Sequence, residues 1–193
     1  MANLAKTDDL EIKKALFVKI FFEFMQASEY LITLVYALKK SGSLRGLKRH
    51  IIECPSGGIE FQKLWLELKR YKNHPLKFYE CIGISLSKKR YLKDKKTFDG
   101  FARAVQVALE NRYKGSRGTR QALPIRAFNK LKHGFAVYTE PGSDTVSFLV
   151  KSGRKIRKIP FKFDVKKAHG FCEAARAMQN SLHNFSQIAL ALA

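Results

Sequence analysis

A long apolar stripe near the start of the chain constrains its fold more than any other feature. From about Asp9 to Lys40, apolar side chains recur with the 3.6-residue period of an α-helix. Because this apolar face is wide, other helices must cover it. We therefore expect a helical bundle around a first helix that is capped by Thr7 or Asp8 and ends at Ser41-Gly42. The stripe consists of Phe17, Ile20, Phe21, Phe24, Ser28, Leu31, Ile32, Val35 and Leu38.

Helical periodicity returns in several later segments. Trp65, the sole tryptophan, lies in the first of them and is expected to anchor the core. Residues 76–92 are ambiguous, because their apolar pattern fits either a helix or a strand. The predicted helices cover about 59–71, about 97–112, a stretch that begins near Pro124, and a last segment from the cap residue Asp164 to Ala189.

A change of pattern between the last two helices predicts a small β-hairpin. Pro160 confines the last of its candidate strands to a sheet edge or a break. The predicted fold class is mainly α, an antiparallel helical bundle with the hairpin, residues 135–163, inserted before the last helix of a single domain over residues 1–193. Strand-like composition, with a turn signal at 141–144, covers residues 135–138, 146–150 and 155–163.

The charge balance of the chain predicts a polyanionic partner. The chain has 37 Lys and Arg residues against 16 Asp and Glu, a formal net charge of +21. Self-repulsion on this scale costs stability unless a partner neutralises it. RNA is the leading candidate for that partner, DNA is a second nucleic-acid candidate, and an anionic membrane surface is the alternative from charge alone.

The sequence further predicts a cytoplasmic protein without a metal centre. Its most apolar stretch, residues 16–38, is interrupted by Lys19, Glu23 and Glu29, so no membrane span is expected. Its three cysteines are scattered, and none has the spacing of a zinc ligand pair. An odd number of scattered cysteines fits a reducing compartment.

The segment from Arg126 to His133 carries the side chains best suited to chemistry. In a helix, positions 126, 129, 130 and 133 share one face. Arg binds a phosphate through a two-pronged fork, and His transfers protons near neutral pH. These residue types can cleave RNA without a metal ion, using the 2′-hydroxyl of the RNA as the nucleophile. A symmetric dimer would bring two such segments together.

This segment resembles the Rx4–6H motif of the HEPN family (higher eukaryotes and prokaryotes nucleotide-binding). The stretch from Asn129 to Gly134, Asn-Lys-Leu-Lys-His-Gly, is especially similar to sequences of that family. The resemblance implies a metal-independent endoribonuclease that needs no cofactor and is commonly a dimer. It implies Arg126 and His133 as the catalytic pair, with Asn129 as a polar helper. It also implies a role as a toxin or phage-defence effector, with an antitoxin or defence-complex partner.

Basic residues outside the catalytic set are predicted to contact nucleic acid. Phosphate contacts by Lys and Arg give affinity with little sequence specificity, and neighbouring aromatic rings can stack on unpaired bases. The predicted nucleic-acid-binding residues are Lys130, Lys132, Lys88, Lys89, Arg90, Arg117, Arg120, Arg154, Lys155, Arg157 and Lys158.

Two other functions fit the same sequence. The first is a non-catalytic nucleic-acid-binding module, and the second is an interaction module whose basic surface meets an acidic protein partner in a defence complex. Glu23 and Glu29, in the apolar first helix, either orient basic residues of the site or lie at the edge of the stripe.

Overall fold

The computed structural model describes residues 9–42, 59–113, 123–132, 137–139, 142–152, 155–162 and 164–190. Within these ranges the chain forms seven α-helices, one 3₁₀ turn at Lys69–Tyr71 and three β-strands. The elements are, in chain order, α1 Leu10–Ser41, α2 Ile59–Leu68, α3 Pro75–Cys81, α4 Lys88–Lys93, α5 Lys95–Tyr113, α6 Leu123–Lys132, β1 Val137–Thr139, β2 Thr145–Ser152, β3 Lys155–Lys162 and α7 Val165–Leu190.

The long first helix forms as predicted, with one correction at its start. Asp9 caps it, because its Oδ1 accepts the backbone N–H of Glu11 at 2.8 Å and that of Ile12 at 3.3 Å. The predicted caps Thr7 and Asp8 lie outside the described residues. Gly42, at φ 63°, ends the helix and donates its N–H to the Leu38 carbonyl. None of the helices in the described ranges, α1 included, is apolar enough over sufficient length to cross a membrane.

The core is built around α1. Helices α7, α5, α6 and α2 and strand β2 all pack against it. Aromatic rings fill much of this interior. Phe24 stacks on Phe171 of α7, with ring centroids 4.9 Å apart. Phe21 contacts the sheet through Phe148 and Phe161, at 5.9 and 5.4 Å. The predicted core anchor Trp65 is only half-buried and lies at the margin of this core.

The predicted hairpin is present, and so is the third strand predicted at 155–163, which forms as β3. The three strands form an antiparallel sheet in the order β1-β2-β3, so Pro160 lies on an edge strand. Phe148 of β2 pairs with Ile159 of β3, and both side chains are buried against α1 and its neighbours. Asp164 caps α7 as predicted, since its Oδ1 accepts the Lys166 N–H at 2.9 Å. The predicted fold class, mainly α with a small sheet before the last helix, is confirmed.

The ambiguous segment 76–92 forms neither one helix nor a strand. It contains the short helices α3 and α4, joined by an irregular stretch that begins with Ile82 and Gly83. Gly83 has φ 81°, a left-handed conformation that costs other residues energy. A Cβ on Gly83 would lie 2.9 Å from the Gly42 Cα and 3.0 Å from the Leu38 carbonyl oxygen. The end of α1 and this turn therefore touch backbone to backbone.

We expect Gly83→Ala to lower the free energy of unfolding by about 1–3 kcal/mol, because the new Cβ meets backbone atoms and φ is unfavourable. Equilibrium urea unfolding measures this change. Gly100→Ala, in α5, is the matched control: a Cβ there meets nothing within 4 Å, so stability should stay equal or rise by up to about 1 kcal/mol. Equal stabilities for Gly83→Ala and the unmodified chain would contradict the close contact.

Candidate nucleic-acid interface

The predicted helix at 126–133 is present as α6 up to Lys132. Its inner side is apolar, with Ile125, Ala127 and Phe128 buried. Arg126 and Asn129 are half-buried on successive turns, three residues apart, so they share one face as the spacing predicted. His133 lies outside the described residues, and so the structure provides two of the three predicted catalytic positions.

Phe128 fixes α6 against the rest of the protein. Its ring contacts Phe22 of α1, with centroids 5.4 Å apart. The guanidinium of Arg112, in α5, lies 5.4 Å from the same ring, and Lys132 Nζ lies 5.3 Å from it. Cations over an aromatic face are attracted by its negative potential. The Phe128 ring is therefore the point at which α1, α5 and α6 meet.

Arg112 is a buried cation, which the sequence did not predict. A charged side chain is usually exposed unless it is paired, but Arg112 is only 1% exposed. Its Nη1 donates to the Met25 carbonyl of α1 at 3.0 Å. Burial lowers the pKa of Arg112, and the neighbouring Tyr113 and Glu29 oppose that shift. The one sequence signal for this burial is the helical period, since Arg112 lies four residues after Ala108 on the apolar side of α5.

Glu29 pairs with a residue of the predicted binding set. Its carboxylate accepts from Lys132 Nζ at 2.8 Å, and its side chain is only 13% exposed. Of the two roles left open for Glu29, the structure favours orienting a basic residue. Phe22, Met25 and Glu29 lie on successive turns of α1. Two turns of α1 thus hold α6 by a ring contact, by the Arg112 bridge and by an ion pair.

The other predicted binding residues fall on two separate elements. Lys88 and Lys89 are exposed on α4, where Arg90 pairs with Asp94 at 3.2 Å. The three predicted cations of β3 are exposed as well, and the Nζ of Lys158 lies 4.1 Å from the Tyr138 ring centroid. These cations are Lys155, Arg157 and Lys158. Arg117, Arg120 and Arg154 lie outside the described residues, and the Lys130 side chain is also outside them.

The structure does not bring all these cations into one patch. α4 docks near the start of α5, where the Tyr91 hydroxyl donates to Asp99 at 2.6 Å. α6 docks near the end of α5, at Arg112. Asp99 and Arg112 are thirteen positions apart on α5, which corresponds to about 20 Å along the helix axis. The sheet is closer to α6, because β2 packs against it.

Two further findings bound the assignment. No family model, no curated protein and no solved structure matches this chain. In the part of the chain that the structure describes, no three His, Cys, Asp or Glu side chains come together as metal ligands would. The HEPN resemblance therefore stays a prediction that rests on the segment from Arg126 to His133.

We expect Arg112→Ala to lower the free energy of unfolding by about 2–4 kcal/mol, because it leaves a cavity under Phe128 and removes the donor to Met25. Arg112→Met, of similar length and without charge, should cost less than about 1.5 kcal/mol. Equilibrium urea unfolding compares the two variants. A milder effect for the Ala variant than for the Met variant would contradict the packing role.

Proposed function

We propose that this chain is a metal-independent endoribonuclease of the HEPN type, with Arg126, Asn129 and His133 as its site. The observation that carries the proposal is the pairing of Arg126 and Asn129 on one face of α6. That helix is held by contacts to α1 and α5, so both side chains project from a rigid support. A rigid support matters because catalysis depends on groups that are already in position.

The proposed reaction uses the RNA as its own nucleophile. The 2′-hydroxyl attacks the adjacent phosphorus while a base removes its proton, and the bond from phosphorus to the 5′-oxygen breaks as an acid protonates that oxygen. His133 transfers these protons, since imidazole titrates near neutral pH. Arg126 stabilises the charge of the phosphorane, and Asn129 helps to hold the phosphate. The products are a 2′,3′-cyclic phosphate and a free 5′-hydroxyl.

The attacking 2′-oxygen and the departing 5′-oxygen lie on opposite sides of the phosphorus, so one fixed imidazole is poorly placed to serve both as base and as acid. We therefore propose that the active form is a homodimer, in which a two-fold axis brings two copies of α6 together. The resemblance to the HEPN family supports the same arrangement, and it supports a role as a toxin or phage-defence effector with an antitoxin or defence partner.

The exposed cations of the sheet support RNA as the substrate. Residues 155–158, Lys-Ile-Arg-Lys, are all exposed at one end of β3. The neighbouring strand β2 packs against α6, so the sheet that carries these cations adjoins the helix of the proposed site. Contacts from such cations to phosphates supply affinity without sequence preference.

The second candidate function is RNA binding without cleavage. It is favoured by the exposed Lys88 and Lys89 of α4, which lie away from α6 and so contribute to binding alone. The two functions differ in whether a product forms and in whether His133 matters.

We expect the chain to cut single-stranded RNA in the presence of EDTA and to leave 2′,3′-cyclic phosphate ends. His133→Ala should lower the cleavage rate by about 10²–10⁴-fold, because it removes the proton-transfer group. Arg126→Ala should lower it by about 10²–10³-fold, through lost charge stabilisation. Gel analysis of end-labelled RNA measures both rates.

Arg176→Ala, an exposed position on α7, is the matched control and should cut at the unmodified rate. Cleavage that EDTA abolishes, or full activity in His133→Ala, would refute the ribonuclease proposal. Tight RNA binding with no product from the unmodified chain would favour the binding function instead.

The basic end of β3 generates a salt-dependence prediction. Neutralising Lys155 and Arg157 together with Gln removes two phosphate contacts, so the slope of log affinity against log salt should fall by about 1.4. Fluorescence anisotropy with 2′-O-methyl RNA, which lacks the nucleophile, measures this slope. The charge-matched variant Lys77→Gln with Arg176→Gln should keep most of the slope. Equal slopes for the two double variants would remove β3 from the interface.

A further inference from the structure

A groove runs along the face of α5 that is turned towards α2, the 3₁₀ turn and α4. It consists of two adjoining cavities, one of about 150 Å³ and one of about 370 Å³. Both are lined by Lys72 and Gln106, and so the two cavities lie next to each other. The groove contains none of the residues that the proposed ribonuclease site uses.

Among the described residues that line this groove, the positive charges outnumber the negative ones. Lys72, Lys95 and Arg103 line it and are exposed. No carboxylate in the described ranges lies within ion-pair distance of any of these three side chains. Its two acidic members, Asp99 and Glu110, both have partners, and Asp99 accepts the Tyr91 hydroxyl. A groove of this composition attracts an anion.

Aromatic rings alternate with these cations along the groove. Trp65 lines the smaller cavity with Lys69, whose Nζ lies 5.0 Å from the indole centroid. Tyr71 lines the larger cavity and is half-buried, which leaves part of its ring open. Rings beside a line of cations are what unpaired bases and their phosphates require, because every base has a face that can stack.

One end of the groove lies beside α4, and the other is linked to α6 only through Tyr113 and Arg112. One end contains Tyr91 of α4, the helix that carries Lys88 and Lys89. At the other end Trp65 stacks on Tyr113, with centroids 6.4 Å apart, and Tyr113 follows the Arg112 that contacts Phe128 of α6. The α5 residues that line the groove run from Lys95 to Glu110, which is about 20 Å along the helix axis.

We propose that this groove binds a segment of single-stranded RNA, with phosphates on Lys72, Lys95 and Arg103 and a base stacked at Tyr71 and Trp65. The proposal rests on the proposed function only in taking RNA as the ligand. It adds a binding site that extends the substrate from α6 towards α4. Double-stranded RNA would not stack in the groove, because its bases are already paired and stacked within the duplex.

The sole tryptophan of the chain reports directly on this groove. A 2′-O-methyl oligouridylate of about ten nucleotides, which cannot be cleaved and has no stable pairing, is the probe. Titrating it into the 193-residue chain should quench Trp65 emission in a saturable manner. A duplex of the same length should bind without this quenching. Single-strand binding that leaves Trp65 emission unchanged would overturn the proposal.

Charge reversal supplies an independent test. Lys72→Glu, Lys95→Glu and Arg103→Glu in one chain should weaken binding of the same probe by about tenfold or more and lower its salt slope by about 2. The control carries Lys19→Glu, Lys77→Glu and Arg176→Glu, which are exposed, lie outside the groove and change the net charge equally. The control should lose markedly less affinity and keep its Trp65 quenching. Equal losses from both triple variants would overturn the proposal.

The two proposals fail in different ways. Saturable quenching together with no RNA cleavage supports the groove and refutes the ribonuclease. EDTA-resistant cleavage that depends on His133, with Trp65 silent and both triple variants alike, supports the ribonuclease and refutes the groove. Circular dichroism spectra that match the unmodified chain establish that each triple variant is folded before binding is compared.

Discussion

The burial of α1 is the constraint on which the rest of the structure depends. Its 32 residues carry buried side chains on several sides. In the described ranges α2, α5, α6, α7 and β2 pack against it. No single helix can cover so wide an apolar face. The last helix of the chain therefore packs against the first, although the two are far apart in sequence. The same helix also holds the candidate site, because Phe22, Met25 and Glu29 are its contacts with α5 and α6.

A buried guanidinium links this scaffold to α6. Desolvating a charge is costly, and here a carbonyl acceptor and an aromatic face offset part of that cost. A hydrophobic side chain would fill the same space without the cost. Arg112 adds direction, since its hydrogen bond and its ring contact together specify how α5, α1 and α6 meet. It also leaves a fixed positive charge behind the helix that carries Arg126.

The positive charge of the chain is divided between surfaces with different surroundings. The cations of α4 and β3 are mostly exposed, whereas Lys132 is tied to Glu29 and Arg112 is inside. A count of basic residues therefore overstates the charge available to a ligand near α6. It also hides the groove along α5, whose cations come from the 3₁₀ turn and the residue after it, Lys69 and Lys72, and from α5, Lys95 and Arg103.

Local signals in the sequence were enough to predict most of the elements, but not the two short helices α3 and α4. The period of the stripe gave the first helix, Asp164 gave the cap of the last, and Pro160 gave the edge strand, since each of these depends on neighbours along the chain. Tertiary packing decided the rest. It divided residues 76–92 into two helices, left Trp65 half-buried beside a groove and paired Glu29 with Lys132. It also buried Arg112, because the energy of each of these arrangements comes from residues that only the folded chain brings together.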